Sequence, residues 1–547
     1  MKDGILMKTG LKIQNIKFIM ACATVLMIAL IVMIIYCSGD DLANDEVFSM
    51  GFANNVEFLF MGQGVIESHS DNGWVSGDFI RSYYAVDEGE RFNIINSVRQ
   101  ARDDVHPPLY FMLLNVMCSI NPKDVSTFPG HLINVIVGIV MFIMVYLLSL
   151  WIMKDRWSAF VPVILLIGST ALQDEITYIR MYASLCVIVL IYMFLCLLLT
   201  DVKYDSKWLY IGLGLTTTIG TLTHYYYYVM CFSVAAVTYI ILITQKRRKV
   251  RIKFFVCQLA GAAVSFCAYP YVFRHMLHSE RGEQAMENLN STDGAFYKDH
   301  LYGFANTYNE EIFNGRFFIC MIILVILLTV AIVLSKLKKE DAKDDKVKSL
   351  NINGILITGV SSLIYWMILF KVSYSTRWLY ISPTFAPCII LLGVLLVSVL
   401  KSIFSKKGIL IAVILATIFC LAYLKESVPE RMKMRDILET RERIIGYTSK
   451  NRDCIFIYDE WSTPHHGRDL ELMKYDQVYF ISADDFYESD ITSILEGRKD
   501  NEKNIAVFVR TNIPDADAIA DRVCEAVGGK ETILIDDYQF FVYNINS

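Results

Sequence analysis

The sequence predicts a polytopic α-helical membrane protein with about eleven transmembrane helices, closed by a small C-terminal α/β domain. Three observations predict it. Apolar runs of membrane length recur along the chain, as at residues 18–36, 132–153, 317–334 and 378–400. Short basic loops separate these runs. Beyond about residue 429 the long apolar runs stop, and strand-like segments alternate with helical ones.

The first observation sets the solvent. The chain has 547 residues, of which 54% are hydrophobic, and its mean hydropathy is +0.41. Soluble domains sit nearer 45–50% apolar, at roughly the level where no run needs to reach membrane length. A hydrocarbon core of about 30 Å needs roughly 20 helical residues, which each run supplies. The first run follows Lys2, Lys8, Lys12 and Lys17 as in a signal peptide, but no small-x-small cleavage pattern comes after it. It reads as a retained first span with a cytoplasmic N-terminus. A net charge of −5 argues against a nucleic-acid role. The 13 cysteines mostly lie inside apolar runs, where thiols behave as small hydrophobes. No His/Cys spacing points to zinc. Only Cys454 and Cys524 share a soluble region in which they could pair.

The second observation sets the topology. Lys154 with Arg156, Lys203 to Lys207, Lys246 to Lys253, Lys336 to Lys339, and Lys401 to Lys407 punctuate the spans. The positive-inside rule puts them in the cytoplasm. The alternating loops at 174–180, 224–228, 274–316 and 371–377 then fall outside. Residues 107–120 are apolar, but about 14 helical residues reach only about 21 Å. We expect a juxtamembrane or re-entrant helix there, with the C-terminus outside the cytoplasm.

The third observation defines the soluble parts. Residues 1–428 form the membrane domain, within which 38–130 is a long first extracytoplasmic loop; length of that kind points to function. Residues 429–547 form the extracytoplasmic α/β domain. Strands are expected at 454–458, 477–482, 504–510, 532–535 and 540–544, and helices at 484–498 and 515–527.

The candidate chemistry lies in the outer loops. Asp40, Asp41, Asn44, Asp45 and Glu46 crowd the exit of the first span. An N-cap and a hydrated helix end would also account for such a cluster. Asp41 and Asp45 are four apart and would share a helix face. Paired carboxylates raise one another's proton affinity, which suits a general base. The first loop ends in Asp104-Val105-His106-Pro107-Pro108-Leu109-Tyr110, where two prolines stiffen the approach to an apolar helix. The next outer loop carries Arg180 and Tyr182, and a later one carries Lys371, Arg377 and Trp378. Cations on the side that the positive-inside rule disfavours suggest an anionic ligand, most simply a phosphate. His224 opens a run of four tyrosines, which serves either as an aromatic belt or as a sugar-stacking surface.

Taken in order, these elements resemble the GT-C glycosyltransferases, and within them the protein-mannosyltransferase-like branch that includes bacterial lipid A sugar transferases. The elements are Asp45-Glu46, His-Pro-Pro-Leu-Tyr from His106, Arg-Met-Tyr from Arg180, Thr-His-Tyr around His224, and Arg-Trp-Leu-Tyr from Arg377. The resemblance covers roughly residues 15–425. Two positions depart from the pattern: Tyr178 stands where relatives often have Glu, and Trp378 where they have Tyr. The resemblance implies transfer of a sugar from a polyprenyl-phosphate carrier to an envelope glycan, lipid or protein, with inversion. It implies Asp45 as the catalytic base, with Glu46, Asp41, Asp104, His106 and His224 around the acceptor and sugar. Arg377, Lys371, Arg180 and Tyr182 would hold the donor phosphate. Some relatives use a divalent metal; no ligand spacing here requires one. A transporter or flippase of lipid-linked sugars, and a membrane sensor with a C-terminal ligand domain, are the alternatives.

Overall fold

The computed structural model describes residues 2–39, 42, 44–122, 125–291, 293–337, 350–449, 452–459, 468–498, 504–536 and 540–546. The chain forms two compact units, made of Met1–Ser38, Val105–Leu109 and His131–Glu430, and of Gly39–Asp104, Tyr110–Gly130 and Arg431–Ser547.

The first unit is helical. Among the described residues of the chain, nine helices are long and apolar enough to cross a membrane. They are Asn15–Ser38, Phe128–Met153, Tyr182–Leu199, Tyr226–Thr244, Arg248–Ala268, Phe317–Leu334, Ile352–Val372, Trp378–Phe404 and Lys407–Gly446. A tenth candidate is a broken one: Phe160–Ile167 and Thr170–Thr177 meet at 67°. Ser169 makes the break, because its hydroxyl accepts from Leu172 N–H and so caps a new helix. The helix Lys207–Thr223 has 17 residues and turns back through His224 and Tyr225 into Tyr226–Thr244. The chain is thus a multi-pass membrane protein. Its apolar core is aliphatic and aromatic, and Tyr192 and Tyr227 are fully buried in it. Phe317–Leu334 buries none of its apolar window, as a helix facing lipid does. The apolar stretch of the first loop forms the helix Leu109–Cys118. Its 10 residues span only about 15 Å, far short of a crossing.

The second unit contains one six-stranded sheet: β1 (Trp74–Ser76), β2 (Asp453–Tyr458), β3 (Gln477–Ser482), β4 (Ile505–Arg510), β5 (Lys530–Asp536) and β6 (Phe540–Asn546), in the order β1-β3-β2-β4-β6-β5. β3, β2 and β4 run parallel, and β1, β6 and β5 pair antiparallel to their neighbours. Five of these strands match the expected segments. β1 is an addition from the first loop, with Trp74 opposite Tyr479. The expected helix over 484–498 divides into Ala483–Glu488 and Ile491–Glu496, because Asp490 caps the second piece by accepting from Thr492 N–H. Arg498 Nε donates to Asp453 at 2.9 Å, with both side chains 2% exposed. Pro429 lies inside the continuous helix Lys407–Thr448, so the change from membrane to soluble composition happens within one helix. Cys454 and Cys524 are free thiols; Cys524 donates to the Gly529 carbonyl.

Candidate active site

In the helical unit, three short connections bring Tyr178, Arg180, Tyr182, His224 and Trp378 together beside His106. The first joins Thr170–Thr177 to Tyr182–Leu199. Arg180 N–H donates to the Tyr178 carbonyl at 2.7 Å, and this tight turn presents Tyr178, Arg180 and Tyr182. The second is the corner at His224. The third is the loop between Ile352–Val372 and Trp378–Phe404.

Arg180 is buried, and its Nη2 approaches His106 Nε2 at 3.4 Å, a long hydrogen bond that the guanidinium donates. That leaves His106 Nε2 as the acceptor, so its proton rests on Nδ1. The His106 ring lies 6.0 Å from the His224 ring. His224 Nδ1 accepts from Tyr226 N–H at 3.0 Å, which places its proton on Nε2 as a ready donor. Burial, with His106 and Arg180 close by, holds His224 well below the ordinary imidazole range. His224 is therefore a neutral hydrogen-bonding group beside a fixed cation.

The rings form a continuous wall. Trp378 meets Tyr178 at 5.6 Å and Tyr182 at 5.8 Å, both edge to face. Tyr182 lies 5.3 Å from His224, and His224 lies 4.7 Å from Tyr226. Tyr226 meets Tyr380 at 5.3 Å, and Tyr380 meets Tyr374 at 5.3 Å. Tyr178 stands in this wall in place of a carboxylate. Glu175, one turn earlier, points elsewhere: it is buried and accepts from Cys186 Sγ at 3.1 Å. It neighbours Asp174 and Glu311. Burial, with the Asp174 and Glu175 carboxylates close by, pushes the Glu311 carboxyl upward.

The loop at 373–377 is braced from the helices Glu280–Asn290 and Gly294–Phe313. The Ser373 carbonyl accepts from Asn288 Nδ2 at 3.0 Å and lies 2.9 Å from His300 Nε2. Thr307 Oγ1 donates to the Thr376 carbonyl at 2.8 Å. Lys371 belongs to this brace: its ammonium donates to the Ser291 carbonyl at 2.8 Å and to the Tyr297 hydroxyl. Arg377 is exposed. Arg281, which we did not single out in the sequence, places its guanidinium 3.8 Å from the centre of the Tyr374 ring. Only its place in the outer segment 274–316, as a cation on the side that the positive-inside rule disfavours, marks it in the sequence.

The remaining expected residues lie in the second unit. Asp45 and Glu46 occupy the first turn of Asn44–Asn54, where the helix dipole favours negative charge. Glu46 is 2% exposed. Asp45 is half-buried, and its carbonyl accepts from Ser49 Oγ. Phe48 and Phe52 of this helix pack against Phe60, and Phe52 also against Phe111. Asp104 ends the helix Ile94–Asp103 and adds to the charge that raises the buried Tyr83 phenol, after burial and Asp469. Asp41 lies outside the described residues. Among the described residues, no group of three or more His, Cys, Asp or Glu is arranged to hold a metal.

No family model matches the chain, and no curated protein matches it. Among solved structures, it is similar to ArnT from Cupriavidus metallidurans bound to undecaprenyl phosphate. The identity is 10% over 96% of this chain and 98% of that chain, with a TM-score of 0.48. The apo state of the same protein gives 10% identity over 96% and 98%, with a TM-score of 0.46. At these scores, the functional reading rests on the residues of this chain.

Proposed function

We propose that the protein is a membrane glycosyltransferase of the GT-C kind. It would transfer a sugar from a polyprenyl-phosphate carrier to a cell-envelope acceptor, with inversion, on the non-cytoplasmic face. The observation that carries this reading is the buried Arg180 beside the neutral His224, joined to an unbroken wall of aromatic rings. Aromatic faces stack on the C–H faces of sugars, and a buried guanidinium neutralises phosphate. A phosphate leaving group needs no proton, only cations. Arg180 and Arg377 take that role in this reading, Arg281 is a third cation, and Lys371 holds the loop that carries Arg377. The acceptor hydroxyl is a poor nucleophile and needs a base; Asp45 is our choice, with Glu46, Asp41 and Asp104 shaping the acceptor side. His106 and His224 orient the sugar.

The test is incubation of the purified protein with a panel of radiolabelled polyprenyl-phosphate sugars and envelope extracts. Transfer of label to an acceptor is expected. A second arm adds EDTA: loss of transfer restored by Mg²⁺ or Mn²⁺ would add a divalent ion beside Asp45 and Glu46. The second reading is a flippase of lipid-linked sugars, favoured by the buried carboxyls of Glu175 and Glu311 beside the half-buried Asp174, since such groups serve proton relays. Movement of intact donor across vesicles, with no label transferred, would select it.

A further inference from the structure

A groove of about 290 Å³ lies on the helical unit, lined by the helices Phe317–Leu337, Phe385–Phe404 and Lys407–Thr448. Its walls include Ile319, Leu327, Leu392, Leu396, Leu415 and Phe419. Ile319 and Ile418 are exposed beside it, so the groove opens toward the surface that faces lipid. None of the rings or cations of the candidate active site lines it. Arg316 is the one charged residue that does, among the described residues.

Arg316 immediately precedes the lipid-facing helix, at the end opposite Lys336. It is a cation on the side that the positive-inside rule disfavours. Its Nη2 donates to Glu426 Oε2 at 2.6 Å. Its Nη1 is buried and has no acceptor among the described residues. A buried guanidinium N–H without an acceptor is costly. Glu426 is largely exposed, at 68%. The Arg316 side chain as a whole is 29% exposed, so the mouth of the groove presents a guanidinium with hydrogen-bonding capacity left over and, next to it, a carboxylate open to water.

We propose that this groove binds a zwitterionic phospholipid with a primary amine, of the phosphatidylethanolamine class. One acyl chain fills the aliphatic channel, the phosphate pairs with the exposed edge of the Arg316 guanidinium, and the ammonium pairs with Glu426. The pairing is specific in both directions. A purely anionic headgroup meets the Glu426 carboxylate and is repelled. A choline headgroup offers that carboxylate no N–H.

The test uses the purified full-length protein in detergent and follows thermal unfolding. Dioleoyl phosphatidylethanolamine, phosphatidylcholine, phosphatidylglycerol and undecaprenyl phosphate are added at equal mole fraction. Phosphatidylethanolamine should raise the midpoint by a few degrees and the other three by less, because only a ligand of the folded state shifts it. Glu426→Gln, at an exposed position, should reduce the phosphatidylethanolamine response to that of phosphatidylcholine. Arg316→Gln should abolish it. Leu396→Trp fills the groove and should abolish it with the ion pair intact, so the test survives if Arg316→Gln fails to fold. Equal responses to phosphatidylethanolamine and phosphatidylglycerol, or an unchanged preference in Glu426→Gln, would overturn the proposal. A larger, Arg316-dependent response to undecaprenyl phosphate would also overturn it, by giving the groove to the carrier lipid.

Discussion

Replacing Arg180 by Met should impair transfer and also change how the protein responds to acid. Methionine keeps most of the buried volume and removes the charge. A cation about 4 Å from a phosphate, at an effective dielectric constant of about 20, interacts by about 4 kcal/mol. Mutational values for charge-assisted hydrogen bonds are lower, about 1.5–3 kcal/mol. We take the lower range, so kcat/KM should fall about 10- to 150-fold. The second effect runs through His224. Burial depresses its pKa most, followed by His106 and then Arg180. Losing Arg180 removes the last of these, so the pKa should rise but stay below the ordinary value near 6.5. The sign follows from linkage. The folded pKa lies below the unfolded one, so the unfolded chain takes up the proton first. Stability is whole above about pH 6.5 and falls as the pH drops below it. Arg180→Met should lose less stability over that acid window than the wild type. The assays are label transfer from a polyprenyl-phosphate sugar and thermal unfolding between about pH 4 and 8. Wild-type transfer together with an unchanged acid profile would refute both the phosphate role and the electrostatic link to His224.

Four further outcomes are expected. Asp45→Asn keeps shape and removes basicity, and should cut turnover about 10²–10⁴-fold in the transfer assay, with Glu46→Gln doing less; wild-type turnover in Asp45→Asn would move the base elsewhere. Glu311→Gln should be more thermostable than wild type at pH 8 and indistinguishable near pH 4, because a raised folded pKa makes wild-type stability fall as pH climbs past the ordinary carboxyl value of about 4.3. Trp74→Ala removes a fully buried ring whose Nε1 donates to the Ile494 carbonyl at 3.0 Å, and should destabilise the second unit by about 3–5 kcal/mol, read as faster proteolysis of residues 39–104 and 431–547. Cysteines at Gly62 and Gly497 should react with an impermeant thiol reagent in intact cells, while one at Ala342 should not; the reverse pattern would invert the topology.

The spans and the C-terminal strands were legible in the sequence because each carries its own signal. A membrane helix satisfies its backbone internally, so hydropathy alone marks it. β2, β3 and β4 have continuous apolar interiors with polar or charged residues only at their ends, as buried parallel strands do. β1 was not legible: Trp74, Val75 and Ser76 have no periodicity of their own, and form a strand only because β3 offers an open edge. The site was partly legible. Arg180, Tyr182, His106 and His224 do converge, because short turns between helices leave their residues little freedom. Lys371 reads in the sequence as a ligand for an anion; in the structure its ammonium donates to the Ser291 carbonyl and the Tyr297 hydroxyl, contacts that a count of charges by loop does not reveal. Arg281 carries no signal of its own because it sits in the first turn of a polar helix, Glu280–Asn290, where arginine is ordinary.

The pairing of β1 with β3 also constrains parity. Strands joined by backbone hydrogen bonds cannot lie on opposite sides of a bilayer, so the chain between Ser76 and Gln477 must cross an even number of times. Among the described residues, eight of the nine long apolar helices fall in that interval. The bent pair Phe160–Thr177 and the 17-residue helix Lys207–Thr223 must therefore both cross or both stay on one side. The tight corner at His224 folds Lys207–Thr223 antiparallel to a full span, and Lys203 and Lys207 sit at its far end, which favours both crossing. Leu109–Cys118 cannot then be an additional crossing. A single added or deleted span anywhere between the two strands would break the sheet, so insertions and losses of membrane helices in this protein are tolerated only in pairs.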